Sequence, residues 1–167
     1  MNRIVLQYRI VRAGPTLPGI AALLAASEVH AHALYPPESV HMLDVTELTR
    51  PHVRFLAVVC GEGIAKGCGA LVLDPVSHTG ELKRMFVAPS ARGLGLGAML
   101  LGGLEAEARA EDLRAIRLET GIDQPEALGL YGRFGYRRRD PFGDYRPDPL
   151  SVFLEKRLLP DAEGNGG

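Results

Sequence analysis

The sequence predicts an α/β fold, a mixed but mostly antiparallel twisted sheet of about six to seven strands flanked by about four helices. Three observations predict it. Short β-branched runs that alternate in polarity recur along the chain between Gly and Pro turns. Apolar residues in the segments between them recur at helical spacing. One glycine-rich strand-to-helix turn near the middle of the chain requires a crossover, and hence one parallel strand pair.

Residues Ile4 to Val11 read as a first strand, closed by the Ala13-Gly14-Pro15 turn. Thr16 can cap the segment Leu17 to Leu34, where Ile20, Leu23, Leu24, Ser27 and Ala31 mark the apolar face of a helix. Tyr35-Pro36-Pro37 forces a break, and a second short helix is expected within Glu38 to Leu48. Val53 to Cys60, the Gly61-Glu62-Gly63 turn and Gly67 to Leu73 form an antiparallel hairpin. Glu81 to Val87 is the next strand. A helix follows from about Gly95 to Ala110, with Met99, Leu100, Gly103, Leu104 and Ala108 on its apolar side. Ala115 to Thr120 is a strand, Pro125 to Phe134 a helix with Pro at its start, and Tyr136 to Arg138 and Ser151 to Lys156 complete the sheet.

With 46% hydrophobic residues, 167 residues bury a core without disulfides or metal. We expect one domain over 1–158 and a disordered tail over 159–167. Nineteen Lys and Arg stand against 20 Asp and Glu, so no overall field favours nucleic acid or an anionic membrane. No run approaches the roughly 18 apolar residues of a membrane helix, and a cytoplasmic location is the default expectation. Cys60 and Cys68 have no ligand spacing and are expected to be buried thiols on neighbouring strands; no metal is expected.

The most informative segment is Arg92-Gly93-Leu94-Gly95-Leu96-Gly97. Glycines between a strand and a helix let backbone N–H groups approach an anion at the positive end of the helix dipole, which suits phosphate. Gly93-x-Gly95-x-x-Ala98 also fits a dinucleotide fingerprint, with Glu119 about 20 residues further on. A strand of that fold is buried on both faces and opens the domain, whereas Glu81 to Val87 carries Glu81, Lys83 and Arg84 and begins at mid-chain. The nicotinamide reading therefore ranks last.

Read as R-x-x-G-x-G, Arg92, Gly95 and Gly97 resemble the pyrophosphate loop of the GNAT superfamily of acyl-CoA N-acyltransferases. Met85-Phe86-Val87-Ala88-Pro89 looks like that superfamily's bulged strand, and Leu130-Tyr131-Gly132-Arg133-Phe134-Gly135-Tyr136 like its Tyr-x-x-x-Gly-Phe/Tyr segment. The resemblance is strong over roughly 80–138 and topological before His52. Tyr35 to Ser39 and Phe142 to Val152 are similar to a bacterial subgroup of unassigned substrate.

The resemblance implies a sheet splayed between the strand ending at Val87 and the next parallel strand, with acetyl-CoA as acyl donor. Met85, Phe86 and Val87 would line the pantetheine arm, and Arg92, Gly93, Leu94, Gly95, Leu96, Gly97 and Ala98 would wrap the pyrophosphate. Tyr131 is implied as general acid for the departing thiolate, and Glu81 as the base that draws a proton from the amine. Simple alternation places Glu81, Lys83 and Met85 on one face of their strand and Leu82, Arg84 and Phe86 on the other. Tyr35, Glu38, Arg84 and Tyr145, with His41, are candidates for contact with a small-molecule amine acceptor. A homodimer is common in the superfamily, but no residue here demands one. The competing readings predict different ligands: a regulatory module would hold acyl-CoA without turnover, and a nicotinamide enzyme would bind NAD(P) in its place.

Overall fold

The computed structural model describes residues 7–158. The start of the first predicted strand and the predicted tail at 159–167 lie outside the described residues. In chain order the elements are β1 (Arg9–Arg12), α1 (Ile20–Leu34), β2 (Val53–Val59), β3 (Ala65–Asp74), β4 (Thr79–Val87), α2 (Leu96–Ala110), β5 (Ala115–Gly121), α3 (Pro125–Arg133), β6 (Arg137–Arg139) and β7 (Ser151–Arg157). No helix among them is long and apolar enough to cross a membrane.

The helix expected within 38–48 is instead two 3-10 turns, Pro37–Ser39 and Val45–Thr49. Pro36 and Pro37 cannot donate to a helical ladder, and β-branched residues crowd the rest of the segment. The Asp44 carboxylate accepts the Thr46 N–H at 2.9 Å and so starts the second turn afresh. The described residues therefore hold three α-helices where about four were expected. A third 3-10 turn, Pro89–Ala91, leads from β4 toward the glycine-rich loop.

The seven strands form one sheet in the order β1-β2-β3-β4-β5-β7-β6. All neighbours run antiparallel except β4 and β5. α2 packs on one face, where Leu100, Leu101 and Leu104 meet Leu56, Leu71, Leu82, Ile116 and Leu118. α1 covers the other, with Ile20, Leu23 and Leu24 on Phe55, Ala57, Val59 and Ala70. Each of the three α2 leucines is fully buried and worth roughly 1.5–3 kcal/mol, which anchors the start of that helix against the sheet. Cys68 is buried as expected, whereas Cys60 is only half-buried, at the turn after β2.

β4 positions the site through two departures from ideal pairing. Its parallel pairing with β5 runs only from Thr79↔Ala115 to Leu82↔Leu118, after which both strands continue apart and open a cleft. Against β3, Ala70 faces Lys83 and Cys68 faces Phe86, so Arg84 and Met85 together oppose the single residue Gly69. Arg84 absorbs this bulge with φ +61°, the left-handed region in which a non-Gly residue is uncommon.

The bulge corrects the predicted alternation. Leu82 lies in the α2-side core, and Met85 and Val87 pack against that core. Phe86 packs on the α1 side, where Arg84 reaches Glu28 of α1. Lys83 and Arg84 thus share the α1 side although they are consecutive.

Candidate active site

The cleft between the splayed strands has a volume of about 530 Å³. Met85, Phe86 and Val87 line one wall, Gly93, Gly95, Leu96, Gly97 and Ala98 its floor, and Leu130 and Tyr131 of α3 the opposite side. The loop turns sharply because Gly93 and Gly95 both adopt φ +80°, and a Cβ at either would meet nothing within 4 Å. The backbone there is bare toward the cleft. The amides of Leu96, Gly97 and Ala98 begin α2 and have no carbonyl one turn back within the helix, so they stand free as donors. This combination suits a phosphate-bearing ligand.

Of the residues predicted to hold the donor, all but Leu94 line this cleft; Leu94 is exposed at the tip of the loop. Arg92 folds back, its Nε donating to the Val87 carbonyl at 3.3 Å and its guanidinium lying 5.7 Å from the centre of the Phe86 ring. That contact ties the loop to β4 and occupies a carbonyl of the exposed strand edge.

Tyr131 reaches the cleft from α3, where Pro125 supplies a first-turn residue with no N–H to satisfy. The side chain is buried, and its hydroxyl has no hydrogen-bond partner among the described residues. Burial pushes its pKa well above the ordinary tyrosine value, so it stays protonated at neutral pH. Tyr136 braces it, ring edge to ring face at 5.6 Å, and is itself held by Glu105, which accepts the Tyr136 hydroxyl at 3.2 Å and Lys156 Nζ at 2.6 Å.

A second cavity, of about 690 Å³, opens between the 38–42 segment, β4 and the loop before β7. Glu38, His41, Met42, Glu81, Lys83 and Tyr145 line it. The Tyr145 hydroxyl donates to Glu81 at 2.5 Å and also contacts Lys83 Nζ. Lys83 reaches Glu81 at 3.2 Å and donates to the His41 carbonyl at 3.1 Å. Phe142 and Phe153 pack edge-on to Tyr145, at 5.1 and 5.4 Å between ring centres, and fix its direction. Burial and the adjoining Glu81 carboxylate raise the pKa of Tyr145 far above the ordinary value.

Glu38, Glu81 and Tyr145 therefore line this cavity together, whereas Tyr35 and Arg84 do not. Tyr35 is buried; its ring occupies the space a Cβ at Gly121 would need, and its hydroxyl accepts the Asp123 N–H at 3.1 Å. It locks the end of α1 to the turn after β5. Arg84 lies behind the cavity wall, paired with Glu28.

Sequence reasoning passed over Lys83 as a site residue and weighed Glu119 only as a fingerprint acid. Glu119 follows Leu118, the last β5 residue paired with β4, and accepts the Ser151 hydroxyl at 2.7 Å. Burial raises its pKa, against the opposing effect of that bond.

The profile of the acetyltransferase (GNAT) family matches residues 20–136. IAA acetyltransferase of Azospirillum brasilense is 45% identical over 149 residues, covering 89% of this chain and 97% of that protein. A Klebsiella pneumoniae structure described as an acyl-CoA N-acyltransferase superposes with a TM-score of 0.76 at 42% identity, covering 91% of this chain and 98% of that one. Salmonella typhimurium YncA, solved with acetyl-CoA, has the same fold at a TM-score of 0.65 and 19% identity, covering 96% and 99%. With a splayed parallel pair, a bulged central strand and a bare-backboned loop at the start of α2, the chain belongs to the GNAT family and is an N-acetyltransferase whose acyl donor is acetyl-CoA.

Proposed function

We propose that the enzyme transfers the acetyl group to the amine of a small molecule by direct attack, with the donor in the cleft between β4 and β5 and the acceptor in the cavity beside Glu81. The observation that carries this reading is the placement of β4: Met85 to Val87 line one cavity, Glu81 and Lys83 line the other, and the strand joins them. The relative named IAA acetyltransferase supports transfer to a small molecule.

The residues fit the donor. The free amides of Leu96, Gly97 and Ala98, with the loop from Arg92 to Gly95, suit its pyrophosphate, and the unpaired edge of β4 suits its amide-bearing arm. Acetyl-CoA supplies an electrophilic thioester carbonyl. Glu81 takes a proton from the acceptor ammonium through water, leaving the nitrogen lone pair free to attack that carbonyl. The C–N bond forms, the C–S bond breaks, the Tyr131 hydroxyl delivers its proton to the sulfur, and the surplus proton on the new amide nitrogen returns to the Tyr131 phenolate. Tyr131 is suited to this because burial keeps it protonated and its hydroxyl is not spent on another group among the described residues.

A thiol-release assay over a panel of small amines, with mass spectrometry of the product, tests the reading. An acetylated amine is the expected result. Retention of acetyl-CoA with no turnover on any amine would favour a binding module instead.

A further inference from the structure

Arg84 is the least satisfied charge in the core. Its side chain is 1% exposed, yet its Nε is buried with no hydrogen-bond partner among the described residues. Nη1 meets only the thioether of Met42, at 2.8 Å, and Nη2 donates to Glu28 at 3.0 Å. Glu28 is a weak counter-ion because its side chain is 48% exposed and well screened by water. A guanidinium has five donors in a rigid fork, so a buried one with a single carboxylate contact is far from saturated.

Its position gives this deficit a direction. Met42 lines the acceptor cavity, while Phe86, on the same strand, and His30, on the same helix as Glu28, line the donor cleft. Arg84 therefore stands directly behind Met42 in the acceptor wall, on the strand that continues into the donor cleft. Its left-handed backbone is what places it there, since uninterrupted alternation would aim it into the leucine core under α2. The other cation of this wall, Lys83, is already engaged by Glu81, Tyr145 and the His41 carbonyl.

We propose that Arg84 is the carboxylate anchor for the acceptor, so that the acceptor is an amino-acid-like molecule bearing both the reacting amine and a carboxylate. The inference rests on the acetyl-transfer reading above. The incoming carboxylate lies along the Nε edge of the guanidinium. It takes the orphan Nε–H and the Nη2–H now given to Glu28, which turns out to solvent. Met42, unbranched and flexible, moves aside to admit it. The ammonium then faces Glu81 and Glu38.

The test is acceptor binding, by thermal melting of the full chain saturated with CoA, so that no turnover is needed. The probes are the twenty standard L-amino acids, with 2-phenylethylamine, 3-(methylsulfanyl)propylamine and cadaverine as the carboxylate-free partners of phenylalanine, methionine and lysine. At least one amino acid is expected to bind and, among the matched pairs, to bind about tenfold or more tightly than its amine, as loss of a charge-assisted contact implies. Arg84→Gln is expected to erase that preference with CoA binding retained. Glu28→Ala, which frees Nη2 and leaves the guanidinium in place, is expected to tighten amino-acid binding severalfold and decides the matter if Arg84→Gln does not fold.

Equal binding of amine and amino acid, preference surviving in Arg84→Gln, or preference lost in Arg146→Gln at the exposed cavity rim would each overturn the proposal. Failure of CoA itself to stabilise the protein would instead sink the acetyl-transfer reading. The two failures are thereby distinguished.

Discussion

Lys83 and Arg84 are neighbours in β4 and yet both project to the α1 side of the sheet, because Arg84 takes up the bulge opposite Gly69 with φ +61°. Two cations thus stand in one wall with separate partners, Lys83 on Glu81 and Tyr145, Arg84 on Glu28. Lys83→Met removes the contact that joins Glu81, the 142–149 loop and the His41 carbonyl. Loss of a charged hydrogen bond in a half-buried site is expected to raise the acceptor KM about tenfold. The acetyl-CoA KM should not move, because Lys83 does not line the donor cleft. Steady-state kinetics with each substrate varied in turn checks both halves.

Gly95→Ala separates backbone strain from ligand contact. At φ +80° an L side chain costs roughly 1–2 kcal/mol, and the added methyl meets no protein atom, so the apo protein should still fold with a modestly lower Tm. The methyl would stand in the donor cleft, and CoA affinity is expected to fall by more than the melting loss explains. Gly102→Ala is the comparison: Gly102 is exposed within α2, and Ala there should stabilise by about 0.5–1 kcal/mol with CoA binding unchanged. Melting with and without CoA reads both.

What the sequence revealed and what it hid follow from the range of the interactions. The start of α3 at Pro125, the apolar stripe of α1 and the Arg92 to Gly97 turn are local, and all were legible. The side on which Arg84 lies was not, because a bulge is decided by pairing with β3, and the residue that adopts positive φ is an arginine with no preference for it. Tyr35 was correctly read as ending a helix before two prolines. Its role as a clamp depends on Gly121 and Asp123, far along the chain, which no local pattern relates to it. Glu119 was hidden for a different reason: it fitted a competing fingerprint, and only the end of the β4–β5 pairing reveals that it stands just past the point where the two strands part.

Glu119 also yields a pH prediction. Burial raises its pKa, with the Ser151 bond opposing, so the folded chain holds the proton more tightly than the unfolded chain. Its contribution to stability is complete below the ordinary glutamate range and is lost as pH rises through the raised folded value. Glu119→Gln removes that loss. The variant should therefore gain in Tm on the wild type at neutral pH, and the gain should shrink as the pH is lowered into the carboxylate range. A difference that stayed constant across the series would show that the Ser151 contact, not ionisation, governs the site.

Tyr131→Phe tests the proton donor directly. The substitution keeps the ring and its edge contact with Tyr136, and removes a hydroxyl that bonds no protein group, so Tm and the acetyl-CoA KM should hardly change. If the hydroxyl protonates the departing sulfur, kcat should drop about a hundredfold or more, the usual scale for a positioned general acid. Because burial keeps Tyr131 protonated well beyond neutral pH, the wild-type rate should show no fall from its ionisation in that range. Tyr136→Phe should divide the other way. It deprives the buried Glu105 carboxylate of one donor, which costs about 1–3 kcal/mol of stability, while Tyr131 keeps its proton. A large kcat loss in Tyr131→Phe with an intact Tm, set beside a lower Tm and mostly retained kcat in Tyr136→Phe, would assign the chemistry to the first tyrosine and the support to the second. A full rate in Tyr131→Phe would leave Tyr131 as a packing residue and place the proton donor elsewhere.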